Sequence, residues 1–432
     1  MKFQKSVLAL LLATGAILFG PTLADDEAEQ DRTRFSLGIT GSMSGDLEWN
    51  HIKMLRYIKV QDLFLTIADE PRSRDFVLAA FAELPFGLKE IMDLRLLREE
   101  NGFYYLNFNF LTQEDQKQIY DMSEKYGRSL TRTYQKHWDE FEVIFQDFDQ
   151  PQTSQEYLAY IVIGLMSLDW DGLAITSEMD LRSTATHTEG ENVYTPWAKE
   201  EGDLVSLQEL YWGSHNENFN QEKFTFTSFG DHHSLPRFGL PDIIWETRVS
   251  LNNAPEALTT LHKKAGNYAM FQAEQDFGKL LYALNENAKP FEEIQILTGW
   301  DEPITRAYLN FLTELQILTK GANGYQPAIL VLDPDDQEMV KSARELSWQI
   351  MEDWLEENYD LIKADLSGLS AVSQGIPFEV MFTEVWHFIF GLTNRDMARA
   401  GLFANPYGDE RTYKGFLTVL WADEVYEDFN LQ

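Results

Sequence analysis

Residues 88–110 read LKEIMDLRLLREENGFYYLNFNF, and residues 309–332 read LNFLTELQILTKGANGYQPAILVL. Apolar side chains recur at the same spacing in both segments, and an Asn-Gly pair follows each set: Leu88, Ile91, Leu94, Leu96 and Leu97 before Asn101-Gly102, and Leu309, Leu312, Leu315, Ile317 and Leu318 before Asn323-Gly324. Asn-Gly favours a type I′ hairpin turn, and a strand-like run follows each pair. The sequence therefore predicts an internal repeat, offset by about 221 residues, of a helix followed by a hairpin.

A long amphipathic helix is predicted after each hairpin. Thr112 precedes a run of acids that suits the first turn of a helix, and Asp333 precedes Pro334, whose fixed φ suits the first helical position. Apolar residues then recur at intervals of three and four over about 30 residues in each copy. Each stretch is one helix, or two helices joined by a kink.

The order of elements in the second copy resembles the winged helix-turn-helix of bacterial regulators. A helix at 273–285 is followed by a short helix at 290–297, a turn at Gly299, a third helix at 302–318 and the hairpin. The resemblance covers about 60 residues there and, in the first copy, residues 50–111. It implies a three-helix unit with a β wing, and DNA binding through the third helix.

The third helices depart from that family in charge. The first copy offers Lys89 and Arg95 beside Glu90 and Asp93, and the second offers Arg306 and Asn310 beside three acids, which are Asp301, Glu302 and Glu314. A helix that reads DNA needs donors for base edges and cations for phosphates. The sequence thus argues against nucleic-acid binding and favours a scaffold that contacts another protein or a second copy of itself.

The composition of the chain also argues against nucleic-acid binding. The 432 residues contain 35 Lys and Arg against 70 Asp and Glu, a formal net charge of −35, and 44% of them are apolar. The chain is therefore folded and acidic, and its field repels polyanions. Because it contains no Cys, disulfides, thiolate metal sites and Cys nucleophiles are excluded.

The N-terminus has the pattern of a secretory signal peptide at residues 1–24, followed by an acidic leader at 25–47. Lys2 and Lys5 precede the apolar run at 6–19, and a small-residue cleavage site ends at Ala24. We expect an exported protein, periplasmic or extracellular, with no stable membrane insertion after cleavage. An uncleaved anchor is the alternative.

The segment between the repeats, 152–271, is predicted to be a small α+β domain. Residues 154–167 read as an apolar helix, 172–176 as a buried strand, and 224–229 and 241–249 as further strands. Within it, residues 225–246 resemble a sequence pattern that recurs in uncharacterised bacterial α+β domains. The resemblance rests on His233, Phe238-Gly239 and Trp245-Glu246, and it implies no activity.

Four of the eight histidines lie within 47 residues of this segment: His187, His215, His232 and His233. Imidazoles near carboxylates can bind a divalent metal or act as acid and base. Their spacing matches no standard ligand frame, so the competing interpretation is a set of polar loop residues, and we expect no cofactor. His387, between two aromatic residues, is expected to be a hydrogen-bonded core residue.

We therefore predict a helix-rich α+β fold with two winged-helix-like units, each followed by long amphipathic helices. The expected boundaries are 48–151 for the first unit, 152–271 for the central domain, 272–368 for the second unit and 369–432 for a C-terminal helical region, with a last helix at 413–429. The sequence contains no recognisable catalytic constellation. The favoured function is a noncatalytic protein-binding or assembly module; the alternatives are a DNA-binding regulator, with an N-terminal anchor or an internal start, and a metal-dependent hydrolase that uses the central histidines.

Overall fold

The computed structural model describes residues 34–42, 50–148, 150, 153–183, 187–189, 192–202, 204–205, 214–218, 224–229, 277–285, 287–314, 317–405 and 418–422. The fold is α+β and rich in helix, as the sequence predicts. The predicted signal peptide and most of the acidic leader lie outside the described residues.

The first part of the chain places short helices ahead of a hairpin and a long helix. Its elements are β1 (Phe35–Ser42), α1 (His51–Leu55), α2 (Ile58–Asp69), β2 (Arg72–Ser73), α3 (Arg74–Phe81), α4 (Leu88–Asp93), β3 (Leu97–Glu100), β4 (Phe103–Leu106), β5 (Asn109–Leu111), α5 (Gln113–Lys136) and α6 (Trp138–Phe145). Thr112 caps α5 through its side chain and forms a reciprocal capping box with Asp115. The first long helix is therefore two helices, which meet at His137.

A second helical stretch follows, and then four strands. It consists of α7 (Gln155–Ala159), a π-helical segment (Tyr160–Asp171) and α8 (Gly172–Glu178), and the strands are β6 (His187–Glu189), β7 (Asn192–Glu200), β8 (Ser214–Asn218) and β9 (Phe224–Phe229). The strand predicted at 172–176 is wrong, because these residues continue the helix. A run of apolar residues buried on all sides does not distinguish a strand from a core helix by periodicity.

The second unit and the C-terminal part complete the fold. Their elements are α9 (277–285), α10 (Phe291–Thr298), α11 (Glu302–Glu314), β10 (Leu318–Gly321), β11 (Gly324–Pro327), β12 (Leu330–Leu332), a 3₁₀ turn (Pro334–Asp336), α12 (Gln337–Asp365), α13 (Ser370–Ser373), α14 (Phe378–Arg399) and β13 (Thr418–Ala422). The helix predicted at 413–429 is wrong over residues 418–422, which form β13.

The two hairpins have the same backbone arrangement 221 residues apart. Leu97 pairs with Leu106 in the first hairpin, and Leu318 pairs with Pro327 in the second. The amide before each hairpin also bonds in the same way, Leu96 N to Ile91 O at 3.2 Å and Ile317 N to Leu312 O at 2.9 Å. A third strand and a long helix follow both hairpins.

The turns of the hairpins differ. Asn101 and Gly102 have φ values of 55° and 81°, as a type I′ turn requires. In the second hairpin Gly324 pairs with Gly321, so Asn323-Gly324 is not the central pair of the turn, and the type I′ prediction is wrong there. Gly324 has a φ of 124°, and a Cβ on it would lie 2.1 Å from the carbonyl oxygen of Lys289, so the site requires glycine.

The strands that follow the two hairpins, β5 and β12, enter separate sheets in the same way. β7 lies between β1, antiparallel, and β5, parallel; β13 lies between β9, antiparallel, and β12, parallel. Leu111 pairs with Lys199 in one sheet, and Leu332 pairs with Trp421 in the other. The segment 152–271, predicted as one domain, thus contributes β7 to the first sheet and β8 and β9 to the second.

The helices of the two halves interlock. α5 packs against α14 and α12, and α12 packs against the π-helical segment, so each long helix contacts a helix that follows the other unit. Close approach is possible because glycine occupies the contacts: a Cβ on Gly127 would lie 3.3 Å from Leu392 Cβ, and one on Gly172 would lie 2.4 Å from Trp386 Nε1. Among the described residues, one helix, Gln155–Glu178, is long and apolar enough to cross a membrane, and 89% of its apolar window is buried inside the molecule.

Apolar residues form two cores. The larger core joins the first unit, the long helices and α14, and the smaller core belongs to the second unit. Strand β12 connects the two cores, because Leu330 and Leu332 face the larger core while Val331 faces the smaller one.

Candidate functional site

With α2 and α9 counted as the first helices of the two predicted units, the second helices are α3 and α10 and the third are α4 and α11. The third helices carry basic residues that are paired with acids of the same helix. Lys89 pairs with Asp93 one turn later on α4, and both side chains are exposed. On α11, Arg306 pairs with Glu302 at 2.7 Å, and its guanidinium lies 4.5 Å from the centre of the Phe291 ring. Each helix therefore presents its cation beside a carboxylate.

Arg95 and Asn310 are both exposed, and only Asn310 lies within a helix. Arg95 follows the end of α4 in a left-handed conformation with a φ of 54°, so it lies outside the third helix. Its carbonyl oxygen accepts a hydrogen bond from Asn107 Nδ2 at 2.8 Å. Asn310 is exposed on α11. The four predicted interaction residues thus lie at the surface and form no continuous basic stripe.

The second helices of the two units expose apolar side chains. On α3, Phe76 and Leu78 are 46% and 43% exposed. On α10, Ile296 is 84% exposed and Leu297 is 50% exposed. No sequence motif indicates these residues; they are found because each helix buries so few of its apolar side chains, Ile294 on α10 and Val77 with Phe81 on α3.

The central histidines do not form one described group. His187 pairs with Tyr194 in the sheet of β7, and His215 pairs with Ser228 in the sheet of β9. His232 and His233 lie outside the described residues. Across the part of the chain that the structure describes, no cluster of three or more His, Cys, Asp or Glu residues could hold a metal ion.

A buried ion pair links the first sheet to α14. Lys199 on β7 pairs with Glu384, and the exposed fractions of their side chains are 5% and 4%. The Lys199 ammonium also lies 4.8 Å from the centre of the Trp197 ring. Burial alone would raise the pKa of Glu384, but the charge and the hydrogen bond of Lys199 help to outweigh burial and hold this pKa below its usual value.

His387 lies one turn along α14 from this pair. Its Nδ1 is 2.6 Å from the carbonyl oxygen of Thr383, so Nδ1–H donates to the helix backbone. Burial lowers the pKa of His387, which favours the neutral imidazole at pH 7. The nearby Arg182 donates to Leu173 O at 2.7 Å, and burial lowers the pKa of its guanidinium to about 10. The sequence prediction for His387, a hydrogen-bonded core residue, agrees with this geometry.

A second buried pair joins α12 to the end of the π-helical segment. Arg344 donates from Nε to Asp171 Oδ2 at 2.9 Å and from a terminal nitrogen to Oδ1 at 2.5 Å. Burial raises the pKa of Asp171 in spite of this partner. Close by, the hydroxyl groups of Tyr134 and Ser347 lie 2.6 Å apart. These contacts join α5, the π-helical segment and α12. The residues that make them are too far apart in sequence to form a motif.

We found no protein family whose pattern matches the chain, no similar curated protein and no similar solved structure.

Proposed function

We propose that this protein is an exported, noncatalytic protein-binding or assembly module built on two degenerate winged-helix-like units. The observation that supports this proposal is that α4 and α11, the reading helices if the winged-helix resemblance holds, have Lys89 and Arg306 in ion pairs with acids of the same helix. DNA affinity depends on cations that release counterions from phosphates, and these pairs leave little charge for that purpose.

The exposed apolar residues support a protein partner. Both second helices place large apolar side chains at the surface, next to helices that lack a basic face. Apolar residues surrounded by polar ones are typical of protein contact surfaces. The partner is another protein or a second copy of the chain, met in the periplasm or outside the cell after removal of residues 1–24.

A gel shift with genomic fragments at low salt tests this proposal against DNA binding. We expect no shift for the mature chain. The double variant Asp93→Ala with Glu302→Ala frees Lys89 and Arg306, and it gives a matched control: if the scaffold still fits DNA, this variant gains affinity that falls with salt by a log–log slope of about one per new phosphate contact. A shift of the unaltered protein that disappears steeply with salt would favour the regulator.

Crosslinking in the exported fraction tests the proposed binding itself. We expect a discrete crosslinked species that contains the chain and a partner, and sedimentation of the purified chain distinguishes a second copy from another protein. Recovery of the monomer alone, at concentrations and salt close to those of the compartment, would count against the module.

A further inference from the structure

Helix α10 carries Ile296, the most exposed large apolar side chain among the described residues. Ile294 points into the smaller core, whereas Ile296 and Leu297 are 84% and 50% exposed at the end of the helix. Single exposed apolar residues are common on monomers, but α10 exposes two that are neighbours in sequence, about 100° apart around the helix axis. The next residue is Thr298, after which Gly299 ends the helix in the left-handed conformation.

Ile296 and Leu297 have acidic neighbours on the same helix. Glu292 lies four residues before Ile296, and Glu293 lies four residues before Leu297, so each acid is adjacent to one apolar side chain on the helix surface. Glu293 pairs with Lys289 at 3.3 Å, and Glu292 makes no ion pair with the residues that the structure describes. Residues 289–306 contain two basic and four acidic side chains, and the whole chain has twice as many acids as bases.

The corresponding helix of the first unit has an apolar face as well. α3 precedes its third helix and hairpin as α10 does, and it exposes Phe76 and Leu78. There the guanidinium of Arg72 lies 5.3 Å from the centre of the Phe76 ring, so a cation of the chain itself covers part of that face. On α10, Ile296 is 84% exposed.

We propose that this face of α10 binds an amphipathic segment of a partner protein in which an apolar side chain lies about one helical turn from a Lys or Arg. The apolar group covers Ile296 and Leu297, and the cation meets Glu292. A second copy of this chain is disfavoured as the occupant because two α10 faces would bring their own acids together. This inference rests on the proposed function and adds to it the surface and the chemistry of the partner.

The test uses the mature full-length chain and a labelled amphipathic Leu/Lys peptide of about 18 residues, long enough to form a helix on binding. Anisotropy titration measures its affinity, and a Leu/Glu peptide of the same pattern is the probe control. The double variant Ile296→Ser with Leu297→Ser is expected to weaken Leu/Lys binding about tenfold or more, since it removes most of the apolar contact. Glu292→Gln is expected to weaken binding less and to flatten its salt dependence.

Leu361 supplies the matched control variant. It is 55% exposed on α12, and Glu357 and Asp360 precede it on the same helix, so it has the same chemistry elsewhere on the surface. Leu361→Ser should change Leu/Lys affinity by no more than about twofold. The inference would be overturned if Leu361→Ser and the α10 double variant lost the same affinity for the Leu/Lys peptide, or if the α10 double variant lost none. It would also be overturned if the Leu/Glu peptide bound the unaltered chain as tightly as the Leu/Lys peptide does.

Photocrosslinkers at positions 296 and 361 separate this inference from the proposed function. A partner captured from position 361 but not from 296 would leave the proposed function standing and remove α10 as the surface. A dimer of the chain captured from position 296 would overturn the choice of partner. Absence of any crosslink from either position, together with monomer alone in the exported fraction, would reject the module as a whole.

Discussion

Replacing Glu384 by Gln should destabilise the protein by about 3 to 5 kcal/mol at pH 7, because it leaves a buried ammonium without its carboxylate. The Lys199 and Glu384 side chains are 5% and 4% exposed, so water cannot replace the lost partner. An upper bound follows from lysine chemistry: removing the proton of an ordinary lysine at pH 7 costs about 5 kcal/mol. The cost of an unpaired buried ammonium therefore does not exceed that figure.

Glu379→Gln is the matched control on the same helix. It breaks an ion pair with Lys363 whose side chains are 32% and 45% exposed, and such surface pairs contribute about 0 to 1 kcal/mol. The double replacement Lys199→Met with Glu384→Leu should be neutral within about 1 kcal/mol, because an apolar pair of similar volume needs no charge compensation.

Urea unfolding at several pH values measures these differences. The cost of Glu384→Gln should shrink as pH falls from 7 toward 4, because the pKa of Glu384 is lower in the folded than in the unfolded chain and its stabilisation is lost as the carboxyl gains a proton. A cost of Glu384→Gln no larger than that of Glu379→Gln, with no change between pH 7 and 4, would refute the buried-pair reasoning.

Two further predictions concern a close contact and a cap. Gly172→Ala should lower the free energy of unfolding, measured in urea, by about 2 to 3 kcal/mol. The reason is that its Cβ would lie 2.4 Å from Trp386 Nε1, which donates to the Leu168 carbonyl oxygen. Gly321→Ala is the control, at a position with open space, and should lower it by under about 1 kcal/mol. Asp336→Asn should stabilise the protein above pH 6 and not below pH 4. Burial raises the pKa of Asp336 from 3.8 to about 6, so the unaltered chain loses stability as pH rises through that window and the amide does not. A thermal unfolding series that shows the same difference between the two proteins at every pH would contradict this.

The local elements could be predicted from the sequence because their signals are local. Asn101-Gly102 specifies its own turn by adopting two positive φ values, and Thr112 with Asp115 satisfies the first amides of α5 within one turn. The leucine spacing likewise places both hairpins, since the described side chains of the pattern lie in or against the cores. These features depend on residues within about a dozen positions of each other.

Elements that depend on distant partners could not be predicted in this way. Residues 418–422 lie in a stretch that looks helical, yet they pair with β9 and β12, which lie far away in the chain, and tertiary context overrides local propensity. Residues 172–176 look like a strand because they are apolar, yet they continue a helix whose glycine admits Trp386. In both cases the deciding contact comes from residues far away in the chain.

For the same reason, the candidate sites could be predicted from the sequence only in part. Lys89 and Arg306 could be singled out as the basic residues of the third helices, and their acid partners lie one turn away in sequence. Lys199 and Glu384 belong to different halves of the chain, and neither has a neighbour in sequence that marks it as buried. The exposure of Ile296 is equally invisible, because an apolar residue at a helix end is predicted to be in the core.

The two cores give the halves of the molecule different roles. The first unit shares one core with the long helices and α14, and the ion pair between Lys199 and Glu384 fastens its sheet to that core. The second unit has its own smaller core and connects to the larger one through β12, where Val331 faces one side and Leu330 the other. A unit with a separate core can carry a contact surface whose substitutions leave the rest of the fold intact. The exposed face of α10 lies on that unit, so loss of binding there can be separated from loss of folding, which cannot be done for residues buried between the interlocked helices.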